Sequence, residues 1–376
     1  MKNRFKTALA IVLTLCMLTS LLAGCGAGKE KISGRGIMHE EEFGGVYIDL
    51  SIEDFNALGF IYGDSVDVSF SNGYEMKGLP YYNGYYTQTG EPLLVAYPGY
   101  PYIKVCVNNG DDLWDLAALK DGDKANISLA EQGKFLDIQN ARDIHYEDDR
   151  SLFASDAVFA NFRCVSAGSM KDGVLYRSAS PCDNQHNRAG YVNDLIAEAG
   201  VKYIVNLSDN DEKIQGYIGQ EDFRSPYFLS LYERGDVIPL ALNMNFSSDD
   251  FKAKVVAGFT AMTEHEGPYL VHCTEGKDRT GFVCMLLEML CGATYQEIVD
   301  DYMITYDNYY RITKEKDPAR YTAIVDTVLV PMMQSVVGEG GADPAEADLA
   351  GCAESFLKNA GMTGDAVNAL RARLMK

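Results

Sequence analysis

Apolar and polar positions alternate along this chain in two different rhythms. From Met38 to about Arg150 the period is two. Ser65-Val66-Asp67-Val68-Ser69-Phe70 runs into Ser71-Asn72-Gly73, and Tyr102-Ile103-Lys104-Val105-Cys106-Val107 runs into Asn108-Asn109-Gly110. Alternation closed by Asn-Gly predicts β-hairpins, because Asn and Gly tolerate the positive φ of a tight hairpin turn. Residues 38–150 are therefore expected to form a small β-rich domain, a partial barrel, of no evident role. Its Tyr81, Tyr82, Tyr85 and Tyr86 are expected to pack as strand residues rather than to form a ligand platform.

Beyond Arg150 strands and helices alternate. Val174-Leu175-Tyr176 reads as a short strand. Ala189, Val192, Leu195, Ile196 and Ala199 mark one face of a helix that stops at Gly200. Val201–Leu207 is a mostly apolar strand. Ser248 with Asp249 and Asp250 opens a helix whose inner face carries Phe251, Val255, Phe259 and Met262. Tyr269-Leu270-Val271 is a strand, a helix follows from Thr280 to about Cys291, and Thr294 with Glu297 spells a capping box for the next. This order predicts an α/β domain over 151–376, a parallel sheet flanked by helices. Ligands of such sheets bind beyond the carboxyl ends of the strands, which is where Cys273 falls.

The first residues follow neither rhythm. Lys2, Arg4 and Lys6 precede an apolar run from Ala8 to Ala23 that ends in Leu21-Leu22-Ala23-Gly24-Cys25. A basic start, a short apolar stretch and small residues describe an export signal. The ending resembles the lipobox of bacterial lipoproteins, which implies that residues 1–25 are a signal peptide and that Cys25 becomes the acylated first residue. Residues 26–37 are then a flexible tether, and the protein is expected to be exported and held at a bacterial cell surface by its lipid.

Charge narrows the partners. Taking away the three basic residues of the signal leaves 30 Lys and Arg against 54 Asp and Glu, a net charge of −24. So acidic a surface argues against nucleic acid and anionic lipid as partners, and an anionic substrate has to be drawn in by a local cluster of donors. Outside the signal, seven cysteines are irregularly spaced with no Cys-x2-Cys pair, which is neither a disulfide framework nor a zinc site. No metal and no cofactor are expected.

One segment supplies the donors. Val271-His272-Cys273-Thr274-Glu275-Gly276-Lys277-Asp278-Arg279-Thr280-Gly281 leaves a predicted strand and enters a predicted helix. Backbone N–H groups of Thr274, Glu275, Gly276, Lys277, Asp278 and Arg279, in a tight loop at a helix N-terminus, form a nest for a phosphate. Gly276 allows the turn, and Arg279 offers a planar fork to two phosphate oxygens. The same dipoles favour a thiolate at Cys273, a ready nucleophile. The Thr280 hydroxyl can donate to that sulfur, and His272 braces the loop. Spacing alone is weak, since Cys182 and Arg188 are equally far apart; that stretch lacks the glycine, the strand directly before it and a hydroxyl residue after the arginine.

The segment resembles the loop of the cysteine-dependent protein tyrosine phosphatase superfamily, in particular the bacterial branch of tyrosine and phosphoinositide phosphatases whose loop reads HCxxGKDRTG. Asn161-Phe162-Arg163 and Leu175-Tyr176-Arg177-Ser178 are similar to that branch's NFR and LYRSG elements. The resemblance covers about Ala160 to Tyr310. It implies hydrolysis of a phosphate monoester through a phosphocysteine, without metal, the substrate being a phosphotyrosine protein or a phosphoinositide. An inositol polyphosphate phosphatase of phytase type is the alternative, and a non-catalytic phosphate reader a further one. Many members protonate the leaving oxygen with an aspartate on a Trp-Pro-Asp loop, but the single Trp114 lies in the first region. Asp278 is the first candidate for the acid, as in members with GKDRT. Asp209 and Asp211 are the second, although a solvated turn explains both. Lys277 is expected to add charge for multiply phosphorylated head groups. Asn184, His186 and Arg188 are candidates to line the crevice.

Overall fold

The structure, a computed structural model, describes residues 31–41, 44–88, 90–108, 110–338 and 343–376. The expected signal peptide and Cys25 lie outside the described residues. Among the described residues no helix is long and apolar enough to cross a membrane. The chain divides into two compact units, Met1–Asp143 and Ile144–Lys376. The division precedes the expected one at Arg150, and residues 144–150 belong with the second unit.

The first unit is a closed barrel of β1 (Lys31–His39), β2 (Val46–Ile48), β3 (Ser65–Phe70), β4 (Glu75–Tyr82), β5 (Pro92–Val95), β6 (Lys104–Val107) and β7 (Lys124–Glu131), in the order β1-β2-β6-β5-β4-β3-β7. It is closed by β7 pairing antiparallel with β1, so the partial barrel expected from the pattern is complete. Residues 31–37, expected in a tether, are strand: Ile32 and Ile37 face the core and the strand supplies the pairing that closes the wall. The first predicted hairpin forms, β3 to β4 around Asn72-Gly73. The second does not. β6 pairs with β5 and β2 instead of folding back, and the chain after it enters a short helix, α1 (Leu113–Leu116), capped by Asp112. Tyr81 and Tyr82 are fully buried, and Tyr85 and Tyr86 are half-buried against the satellite core around Leu93 and Val95.

In the second unit the sheet order is β11-β10-β12-β9-β8, with β8 (Arg163–Cys164), β9 (Leu175–Ser178), β10 (Tyr203–Asn206), β11 (Val237–Pro239) and β12 (Tyr269–His272). The pairs β9–β12, β12–β10 and β10–β11 are parallel, and β8 is an antiparallel edge. Every residue of β10 and β12 is buried, as expected of strands covered on both faces. Helix α2 (Ala189–Glu198) follows β9, α3 (Asp249–Glu264) precedes β12, α4 (Asp278–Leu290) follows it, and α5 (Tyr295–Tyr310) comes next with the predicted Thr294–Glu297 capping box. Helix α4 is buried almost all round, so it is a core element and not a surface one. β12 therefore stands at the centre of the sheet, with the loop 273–277 at its carboxyl end.

Candidate active site

The loop leaves β12 at His272 and enters α4 at Asp278, with Lys277 as the cap. Its shape is held from below. Gly276 has φ +71°, and a Cβ there would overlap the Ser178 carbonyl at the end of β9. Only glycine combines that backbone with that approach. Thr274 O accepts from Ser180 N at 3.0 Å. Asn161, itself at φ +50°, donates Nδ2 to the carbonyls of Glu275 (3.1 Å) and Gly276 (3.4 Å), and Arg177 Nη2 donates to Gly276 O at 2.9 Å. With these carbonyls satisfied outward, the loop's amides are left to face an anion. Gly281 in the first turns of α4 has its own reason, since a Cβ would strike the Tyr302 ring.

A second layer fixes the braces. Asp301 on α5 binds Arg163 (Nε to Oδ1, 2.7 Å) and Arg177 (Nη1 to Oδ2, 2.5 Å). Burial alone would raise the Asp301 carboxyl, but the two guanidiniums more than offset it and hold the group well below the usual carboxylate range. Arg163 Nη1 also donates to Asn161 Oδ1 at 2.8 Å. The two short segments quoted for their resemblance, Asn161-Phe162-Arg163 and Leu175-Tyr176-Arg177-Ser178, thus act physically as supports of the loop. Asp301 gave no signal in the sequence, because an acidic residue on an amphipathic helix reads as solvated.

Cys273 is 3% exposed. Arg279, in the first turn of α4, donates Nη1 to the Leu242 carbonyl at 3.2 Å. Leu242 belongs to the loop after β11, and residues 237–248 contain no Asp, Glu or His. The segment that touches Arg279 therefore brings no acid of its own. His272 is fully buried; its Nδ1 lies 3.2 Å from the Cys273 carbonyl, which only accepts, so Nδ1 carries the proton. Burial pushes this histidine down to about 4, with the nearby Asp209 opposing only in part, so it is neutral at pH 7. The Thr280 hydroxyl is buried without a hydrogen-bond partner, so the expected donation to the Cys273 sulfur is not made in this structure.

The remaining expected residues separate. Asp278 stays at the mouth of the loop, its side chain 30% exposed and 3.6 Å from Lys277 Nζ. Asp209 is not a solvated turn residue. It is 2% exposed and accepts from Ser208 Oγ (2.9 Å), Asn206 Nδ2 (3.1 Å) and the Tyr217 hydroxyl (3.4 Å). Asp211 is an exposed first-turn residue that accepts from Tyr232. Arg188 is not at the crevice as a phosphate ligand: it is 1% exposed, bonded to the carbonyls of Phe159 and Glu147, and packed 3.8 Å from the Tyr309 ring. His186 pairs with Asp148 (3.0 Å) and lies against the Tyr146 ring, and Asn184 accepts from Ala189 N at the start of α2. One acid was missed by sequence reasoning. Asp183, half-buried on the loop after β9, is pushed up by burial and by the charge of Asp209.

Lys277 is neither an exposed lysine nor a free phosphate ligand. Its ammonium contacts Glu275 Oε2 (3.0 Å), the Tyr310 hydroxyl (3.0 Å) and Asp278 Oδ2 (3.6 Å). Burial opposes its charge, but Asp278 and Glu275 outweigh it and hold the lysine well above its ordinary value. Glu275 in turn accepts from the hydroxyls of Tyr146 (2.7 Å) and Tyr310 (3.3 Å).

No curated protein matches the chain. Among solved structures it is similar to an uncharacterized conserved protein from Thermotoga maritima, at 24% identity over 27% of this chain and 37% of that one, with a TM-score of 0.23. It is also similar to the core catalytic domain of the PP-IP phosphatase SIW14 from S. cerevisiae, at 17% identity over 45% of this chain and 94% of that one, TM-score 0.25. A third is P. aeruginosa TpbA, at 21% identity over 53% and 85%, TM-score 0.21. The family model described as "Tyrosine phosphatase family" matches residues 134–376, more than half of the chain and all of the second unit from Ile144 on. The chain belongs to the tyrosine phosphatase family and is a tyrosine phosphatase-like hydrolase.

Proposed function

We propose that this protein hydrolyses phosphate monoesters, of a phosphotyrosine protein or a phosphoinositide, through a phosphocysteine on Cys273. The observation that carries the reading is the cysteine at the carboxyl end of the central strand with Arg279 in the first turn of the helix that follows. The Cys273 sulfur attacks phosphorus as the bond to the leaving oxygen breaks. Asp278 gives that oxygen its proton, while the loop amides and Arg279 hold the equatorial oxygens of the transferring group. Water then attacks the phosphocysteine, its proton passing to Asp278, and the sulfur leaves as thiolate with inorganic phosphate released. The step calls on no metal and no cofactor. A turnover panel of p-nitrophenyl phosphate, a phosphotyrosine peptide, a phosphoinositide and inositol hexakisphosphate tests it. Release of phosphate from at least one of the first three, blocked by vanadate, is expected; failure on all of them contradicts the reading.

The reading includes export and attachment to a bacterial membrane through a lipidated Cys25, on the strength of the basic, apolar and Leu-Ala-Gly-Cys pattern of the first residues. Mass spectrometry of the mature N-terminus is expected to find a diacylglycerol-modified cysteine, and an unmodified N-terminus contradicts it.

A further inference from the structure

The loop holds its own counter-charge. Of the four ionisable side chains between Glu275 and Arg279, two are basic and two acidic, so they sum to zero before any ester arrives. The lysine that would favour a highly charged substrate is engaged on two sides by carboxylates and on a third by Tyr310, and its side chain is only 13% exposed. Glu275 is itself clasped. Tyr146, from the segment at the start of the second unit, and Tyr310, from the last turn of α5, each place a hydroxyl on its carboxylate. The Tyr146 ring is supported by His186, with centroids 4.5 Å apart, and by Tyr310 at 5.5 Å. Two elements outside the loop thus converge on this one carboxylate, two residues after Cys273. Burial favours a neutral carboxyl there, yet Lys277 and the Tyr146 hydroxyl outweigh it and keep Glu275 ionised.

A fixed negative charge beside an anion site does not penalise all substrates alike. The Coulomb energy scales with the product of the charges, so a carboxylate costs an ester with several phosphates more than an ester with one. We propose that Glu275 sets the charge class of the substrate: held by Tyr146 and Tyr310 against Lys277, it makes the site selective for esters carrying a single phosphate over multiply phosphorylated ones. This rests on the proposed phosphatase reading and narrows it, against inositol polyphosphates. Glu275 acts through Lys277 and through the field, so it is a positioning and selectivity residue and not a catalytic one.

The test is Glu275→Gln, which keeps the shape and the acceptor oxygen but removes the charge. At one ionic strength, KM for inositol hexakisphosphate is expected to fall on the order of tenfold relative to wild type, while KM for a phosphotyrosine peptide stays within about threefold. Tyr146→Phe removes one hydrogen bond to Glu275 from outside the loop, and it should shift the same ratio in the same direction by less. A residue that merely shaped the loop would weaken both substrates together, so equal losses, or an unchanged ratio, overturn the proposal. Calorimetric binding of inositol hexakisphosphate to Cys273→Ser and to the Cys273→Ser, Glu275→Gln double variant reads the same quantity without turnover. Tighter binding by the double variant, with a wild type that turns over none of the esters, would sink the enzymatic reading and leave the selectivity standing. Ready turnover with no gain in the double variant would do the reverse.

Discussion

Two stretches of this chain have a cysteine and an arginine six positions apart, and they have become different objects. Cys273 ends a buried central strand, and the residues after it close over Gly276 into the N-terminus of a thirteen-residue helix. Cys182 is separated from β9 by Ala179-Ser180-Pro181, its loop has no glycine, and α2 begins only at Ala189, after Arg188. Its sulfur sits near Ser180 and Asn206, and burial, with Asp209 and Asp183 adding like charge, pushes the thiol far up. A thiol in that setting stays protonated and inert. Arg279 is turned to the carboxyl end of the sheet, whereas Arg188 is enclosed by Phe159, Tyr309 and two carbonyls. Spacing supplies a candidate pair. The buried central strand that ends directly at the cysteine, the glycine within the loop and the arginine inside the helix are what set the Cys273 pair apart.

The largest expected effect separates the two cysteines. Cys273→Ser should lower turnover by roughly a thousandfold or more while vanadate still binds, since the amides and Arg279 remain. Cys182→Ser should keep most of the rate. Comparable losses in both would remove the distinction drawn between the two loops.

The acid comes next. Asp278→Asn should slow a phosphotyrosine peptide by about a hundredfold or more, and an activated aryl phosphate by only a few-fold, because a good leaving group departs without a proton. Asp209→Asn and Asp183→Asn run the same comparison on the Cys182 side of the sheet. Leaving-group dependence in either of those, and not in Asp278→Asn, would move the acid to that side.

The smallest effect is on stability. His272 has a folded-state value near 4 because burial disfavours its charge, below the ordinary 6.5. The unfolded chain therefore binds more protons between those values, so the contribution is present above pH 6.5 and lost as pH falls through 4. Between pH 7 and pH 5 it should cost roughly 2 kcal/mol. Denaturant melts at the two pH values should show that loss in wild type and a smaller one in His272→Asn; equal slopes would contradict it.

Much of this was legible in the amino-acid pattern. The strands 201–207 and 269–271, the helix ending at Gly200 and the Thr294 capping box appear where local rules put them, because each depends on near neighbours. Strand pairing does not. The apolar alternation of 102–107 and its Asn-Gly ending promised a hairpin, but β6 found its partners in β2 and β5, a choice made by closure of the barrel. The site divides in the same way. Cys273, Gly276 and Arg279 are contiguous and could be read as a unit. The clasp of Tyr146 and Tyr310 on Glu275, and the bracing of two arginines by Asp301, join residues more than a hundred positions apart or on elements whose faces look solvated. Lys277 shows the limit most clearly: its sequence position suggested a free cation, but it is engaged by Glu275 and Asp278 of its own loop and by Tyr310, which the fold brings from α5.

The central claim is that Cys273 carries the phosphoryl group. Wild-type protein mixed with a phosphotyrosine peptide, quenched within the first turnovers and digested, should yield the peptide containing Cys273 with one added phosphoryl group on sulfur, and the peptide containing Cys182 unmodified. Turnover that leaves Cys273 unmodified, or a phosphoryl group recovered on Cys182, would contradict the account.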